Sequence, residues 1–309
     1  MTRIAVLGAG VIGQVYAGRL AGAGHPTWML ARGSALAHLR EHGMRLSDGR
    51  HTATPPVTVV GEADEIPPVD VAYLAVRGDQ AAAALPSLAA VDARVVVTLA
   101  NLAGEVDALV SRIGAERTVV GFPGVGGVRT PDGVRFHDVA QQATMLGRSG
   151  GREEHVAADL RGAGFAVDVV GDARSWLATH AVFIAGVGAA VLAAGSVEAV
   201  GRERARARAM VLSVRDGFRA LHRRGVTVTP TPLRVIFTRM PLPVGTGYWA
   251  AQLRGELGRL TLAPHVLATR DTEFAYLADR VRELTGGDAR LLNEALTRAG
   301  LMPSGSAPS

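Results

Sequence analysis

The chain has 309 residues, which is long for one ordinary hydrophobic core, so two domains are expected. It has no cysteine, which excludes disulfides, thiolate metal sites and cysteine nucleophiles. All 33 basic residues are arginine, the net charge of +5 is modest, and the arginines are scattered with few aromatics among them, so no nucleic-acid partner is expected.

Ile4-Ala5-Val6-Leu7 is a short apolar run with no charged and apolar leader before it, and a cytoplasmic location is the expectation. Gly8-Ala9-Gly10-Val11-Ile12-Gly13 follows at once, and then Val15, Tyr16, Leu20 and Ala21 at helical spacing. Strand, tight turn and helix in that order open a dinucleotide-binding unit. Gly8 permits the turn, Gly10 lets the backbone approach a pyrophosphate, and Gly13 lets helix pack on strand. The helix start, at Val11 and Ile12, offers N–H groups to the phosphates.

Thr27 to Leu30 reads as the second strand, after Gly24-His25-Pro26. An NAD site places an acidic residue at the end of that strand to bond the ribose 2′-OH. Here Ala31-Arg32-Gly33 stands instead, and a guanidinium would pair with a 2′-phosphate, so NADPH is the expected cofactor. A solvated surface arginine is the plainer alternative for Arg32.

Further strands are expected at Val57–Val60, at Val69–Val76 with Arg77 and Gln80 after it, at Ala93–Leu99 ending in Asn101, and at Val119–Pro123. A helix over Ala81–Leu88 lies among them. Gly8, Arg32, Arg77 and Asn101 each come just after a strand, and the carboxyl ends of a parallel sheet share one ligand-binding edge. Turn signals between Gly121 and Gly151, such as Thr130-Pro131-Asp132-Gly133, suggest a short antiparallel extension. A helix at Arg152–Ala163 and a strand at Ala166–Val170 complete an α/β, Rossmann-type domain over residues 1–171.

From Asp172 the pattern turns helical, giving an all-α second domain over 172–302 and a tail, 303–309, expected to be disordered. Trp176–Gly195 is nearly all apolar and about as long as a bilayer is thick. It is rich in Gly and Ala and interrupted by His180, so a buried central helix is the better reading and no membrane association is expected. An apolar helix of this kind makes a homodimer plausible. An Arg-rich amphipathic helix spans Gly201–Arg224, four prolines between Pro230 and Pro243 punctuate a broken section, and helices at Thr272–Leu284 and Ala289–Ala299 follow. The nine histidines show no metal-ligand spacing, so no metal is expected.

With these residues assembled, the chain resembles the ketopantoate reductase family over nearly its whole length. The likeness rests on Gly8 to Gly13, Gly24-His25, Arg32, Arg77 with Gln80, Asn101, Gly121-Phe122-Pro123-Gly124-Val125-Gly126-Gly127 with Asp132-Gly133, Trp176 and Thr272-Glu273. The resemblance implies that NADPH gives hydride to a 2-keto acid or related carbonyl. It also implies that Asn101 helps bind substrate and nicotinamide and that Glu273 bonds the substrate hydroxyl. The family's proton-donating lysine falls on Ala178, and its two substrate asparagines fall on Val182 and Gly186. The chain is thus a divergent member of the pattern, and a substrate other than ketopantoate is expected.

A carbonyl reduction still needs a proton for the developing alkoxide, and His180 is the first candidate. Two residues along a helix is about 200° around, so His180 need not face where the lysine would, and a core histidine bonding a carbonyl is the alternative. Arg174 could supply charge but is a poor proton donor. The plainer roles are a surface salt bridge with Arg270 or Arg280 for Glu273, and a turn residue for Asn101. Two other functions share these features: a non-redox cyclase or isomerase with NADP(H) as structural cofactor, and a non-catalytic NADPH-binding protein.

Overall fold

A computed structural model of the protein describes residues 1–255 and 257–303. The chain forms two compact units, one of Met1–Asn101 and Val106–Ala173, the other of Leu102–Glu105 and the chain from Arg174 onward. Beyond Pro303, the tail expected from the sequence lies outside the described residues.

The first unit carries twelve strands: β1 (Ile4–Leu7), β2 (Thr27–Leu30), β3 (Leu46–Ser47), β4 (Thr52–Ala53), β5 (Thr58–Val60), β6 (Val69–Leu74), β7 (Ala93–Leu99), β8 (Thr118–Phe122), β9 (Val125–Thr130), β10 (Gly133–Asp138), β11 (Thr144–Gly147) and β12 (Val167–Val170). Helices α1 (Val11–Gly22), α2 (Gly33–His42), α3 (Gly78–Ala89), α4 (Val106–Ile113) and α5 (Arg152–Gly162) connect them. Eight strands form the main sheet in the order β12-β11-β8-β7-β6-β1-β2-β5. Its pairs are parallel except β11 with β8. The apolar runs of β1, β6 and β7 occupy its centre because strands covered on both faces must be apolar along their length.

The antiparallel part has more structure than the turn signals indicate. The β9–β10 hairpin leaves the main sheet and builds a second one, β4-β3-β10-β9, in which β10 runs parallel to β3. β3 and β4 are two residues each, too short to show periodicity. This sheet lies along α1: a Cβ at Gly127 of β9 would sit 3.1 Å from Val11 Cγ1, and one at Gly18 would collide with the Leu46 side chain of β3. Tyr16 of α1 is fully buried beside it and shares a 2.5 Å hydrogen bond with Thr144 Oγ1.

The regular elements of the second unit, among the described residues, are all helical: α6 (Ala173–Ala194), α7 (Val197–Arg202), α8 (Arg204–Arg223), α9 (Thr231–Arg234), α10 (Leu242–Arg254), α11 (Ala263–Ala268), α12 (Ala275–Thr285) and α13 (Arg290–Arg298). Three π-helical turns, Val235–Arg239, Leu257–Leu262 and Arg270–Phe274, interrupt them. Among the described residues α6 is the one helix long and apolar enough to cross a bilayer, and most of it is buried in the helical core. Its glycines admit neighbours closely: a Cβ at Gly186 would lie 2.5 Å from Val214 of α8.

Two expected helices differ in detail. The span 201–224 breaks at Glu203, which is extended, so that α7 can pack on α10. There a Cβ at Gly201 would come 3.0 Å from the Ala250 carbonyl oxygen. The helix expected from Thr272 begins at Ala275, because the preceding residues belong to a π-helical turn.

Candidate cofactor and active site

In the main sheet β7, β6, β1 and β2 are adjacent and parallel, so their carboxyl ends lie along one edge. Gly8 follows β1, Arg32 follows β2, Arg77 follows β6 and Asn101 follows β7. Gly8 has φ +114, in the left-handed region that favours glycine, and a side chain there would collide with the Ala75 carbonyl oxygen. A Cβ at Gly13 would collide with the Gly8 carbonyl oxygen and sit 3.4 Å from Ala75 Cβ, so helix and strand meet only because that atom is missing.

Gly10 differs from both, since a Cβ there would have nothing within 4 Å. It is the N-cap of α1, with no side-chain cap and no acidic residue in the first turn. The start of the helix, Val11 and Ile12, therefore borders open space at its positive end, where an anion is favoured. Gln14 Nε2 steadies the turn by donating to the Ala9 carbonyl at 3.0 Å.

Arg32 is exposed and N-caps α2 without a side-chain cap bond, and its Nη2 donates to Ser87 Oγ of α3 at 2.6 Å. No carboxylate ends β2: the residues there are Ala31, Arg32 and Gly33. Arg77 holds Asp79 through two bonds, Nε to Oδ1 at 3.0 Å and Nη2 to Oδ2 at 2.9 Å, and Gln80 is exposed in the first turn of α3. Asn101 is 7% exposed, and its Oδ1 is buried with no hydrogen-bond partner among the described residues. A buried amide oxygen left unpaired costs free energy that a ligand donor would recover. His25, by contrast, serves the fold: its Nδ1 accepts from the Thr2 N–H at 3.1 Å.

The segment after Asn101 turns through Ala103, at φ +46, and ends at Glu105. There Tyr276 Oη donates to Oε2 at 2.6 Å and Arg280 Nη1 to Oε1 at 2.9 Å, which is why residues 102–105 belong with the helical unit.

In that unit His180 is 9% exposed and stacks on Trp176, ring centroids 5.1 Å apart and planes 7° apart, with the Phe183 ring edge-on at 6.3 Å. Glu273 is buried in the π-helical turn and so does not stand on an exposed helix face, while Arg270 pairs with Asp271 and Arg280 with Glu105 and Glu283. Ala178, Val182 and Gly186 form one stripe of α6, all buried. A Cβ at Gly217 of α8 would sit 2.5 Å from Val182 Cγ1, so this stripe is packed hydrophobic core. Arg174 is exposed at the start of the helix.

One residue that strand-end reasoning omits also reaches the glycine turn. Arg129 of β9 donates from Nη2 to the Ala9 carbonyl at 2.8 Å. Nothing local in the sequence announces it, because the hairpin's position on α1 is a tertiary fact.

A glycine turn between a buried parallel strand and a helix, polar residues along the carboxyl edge and a following helical unit define a Rossmann-type α/β fold with a second, all-α part. Sequence comparison narrows the class. Residues 4–151 match the family model of ketopantoate reductase PanE/ApbA. No curated protein matches it in sequence.

Its fold is similar to that of 2-dehydropantoate 2-reductase from Geobacter metallireducens GS-15, at TM-score 0.77 and 18% identity over 96% of this chain and 99% of that one. It is similar to the enzyme of the same name from Porphyromonas gingivalis W83, at 0.68 and 16% over 96% and 98%. D-mandelate dehydrogenase in its ternary structure with NADH and anilino(oxo)acetate aligns at 0.70 and 13% over 96% and 99%. At such identities the likeness is one of fold.

Proposed function

We propose that the protein is an NADPH-dependent reductase of a 2-keto-acid type carbonyl compound other than ketopantoate. The observation that carries this reading is the pairing, on one sheet edge, of an uncapped glycine turn with the buried, unpartnered Oδ1 of Asn101. The family match over residues 4–151 supports the same class of chemistry.

When bound, the reduced nicotinamide supplies a hydride for the carbonyl carbon. The N–H groups at Val11 and Ile12 would hold the pyrophosphate, with Gly10 giving it room. Arg32, now bonded to Ser87, would hold the 2′-phosphate, and Arg77 and Gln80 border the same edge. Asn101 orients the reacting groups by accepting a hydrogen bond at Oδ1.

His180 gives the proton to the alkoxide oxygen, its ring held by Trp176, and Glu273 accepts from the resulting hydroxyl. With Ala178, Val182 and Gly186 at the positions where the family has a lysine and two asparagines, the polar groups that would select a small hydroxylated acid are missing, which favours a less polar substrate.

The test is to mix the protein with NADPH and a panel of 2-keto acids and ketones. Loss of reduced-cofactor absorbance in step with alcohol formation is expected, and NADPH binding without turnover across a broad panel would overturn the redox assignment. The apolar stripe where the family has its lysine also favours a second reading, a cyclase or isomerase that retains NADP(H). That reading requires more product than cofactor at substoichiometric NADPH.

A further inference from the structure

The β9–β10 hairpin delivers a cation to the glycine turn from 120 residues further along the chain. Arg129 Nη2 donates to the carbonyl of Ala9, the residue between Gly8 and Gly10, and that oxygen also accepts from Gln14. A guanidinium carries five N–H donors, and among the described residues Arg129 is bonded to Ala9 alone. No carboxylate faces it from α1, whose first turn has no acidic residue.

Its guanidinium stands beside the positive start of α1. The start of a helix is its positive end, so an anion lying between it and this cation would be attracted by both. The hairpin cannot swing clear, because β9 is packed on α1 at Gly127 and Val11. A cation built into such a place, exposed and with donors to spare, fits an anion that enters the open space at Gly10.

We propose that Arg129 binds the dinucleotide pyrophosphate, bridging it from the hairpin side while the first turn of α1 holds it from the other. This rests on the cofactor reading above and adds a residue to it. Arg32 stands at the end of a different strand, beside Ser87, where the adenosine ribose would lie. The two arginines should therefore respond to different phosphates.

The experiment measures dissociation constants of the full chain for NADPH and for NADH by titration calorimetry. Arg129→Ala should weaken both coenzymes by the same factor, roughly tenfold or more. Arg32→Ala should weaken NADPH far more than NADH. Arg129→Lys should recover part of the affinity, and Arg129→Gln, which keeps a donor for Ala9 without the charge, should not.

Unchanged affinity in Arg129→Ala, recovery by Arg129→Gln, or a loss confined to NADPH would each overturn the proposal while leaving the cofactor reading in place. If the wild-type chain binds neither coenzyme, both fall together. Melting curves of the coenzyme-free variants report whether each remains folded.

Discussion

Gly10→Ala and Gly13→Ala add the same methyl group less than one helical turn apart, and the structure assigns them opposite consequences. At Gly10 the backbone is at φ −72 and ψ −177, open to alanine, and nothing lies within 4 Å of the new atom. The weaker N-cap and the stiffer unfolded chain nearly cancel, so the coenzyme-free protein should keep its stability to within about 0.5 kcal/mol. The methyl would occupy the space into which a phosphate closes, and NADPH affinity should fall about tenfold or more, which is about 1.4 kcal/mol.

At Gly13 the new Cβ overlaps the Gly8 carbonyl oxygen and sits 3.0 Å from its carbon. That carbonyl belongs to a turn whose N–H is bonded to Leu30, so strand and helix must part. Overpacking against backbone costs about 2–3 kcal/mol. For a unit of this size that lowers the melting temperature by roughly 4–12 °C. Thermal melts without coenzyme and calorimetric titration with NADPH read the two effects separately. Equal melting of the two variants, or wild-type NADPH binding by Gly10→Ala, would refute the reasoning.

Other outcomes follow from individual contacts. Burial opposes ionisation of Glu153, but N–H bonds from Ser149 and Gly151, with the Ser149 hydroxyl, hold its carboxyl below the ordinary glutamate range. Because the folded pKa is depressed, its stabilisation is present above the ordinary range and lost as pH falls through the folded value. Glu153→Gln should therefore cost about 1 kcal/mol at neutral pH and little in acid, as compared by melting at the two pH values. Glu105→Ala removes the acceptor of Tyr276 and Arg280 and should destabilise the protein by about 1–2 kcal/mol, a loss that denaturant titration would show. With a carbonyl substrate in hand, His180→Gln should lower kcat by about a hundredfold or more and leave the NADPH dissociation constant unchanged.

The local code carried a great deal. The spans Thr27–Leu30 and Ala93–Leu99 read from the sequence are the observed β2 and β7, because a strand in the middle of a parallel sheet must be apolar along its length and polar or turn-forming at its ends. The glycine turn is legible for the same reason: each glycine answers a requirement set by neighbours within a few residues or by the adjacent strand.

What the sequence alone determined, then, is the order of strand and helix, the edge on which Gly8, Arg32, Arg77 and Asn101 gather, and the absence of any lysine from the chain. The tertiary structure decided the rest. Pairing of Leu46 with Val134, the arrival of Arg129 at Ala9, the clasp on Glu105 and the burial of the Ala178–Val182–Gly186 stripe against α8 join residues far apart in the chain. Spacing of side chains along one element says which residues share a face, whereas what that face meets depends on the packing of all the elements together.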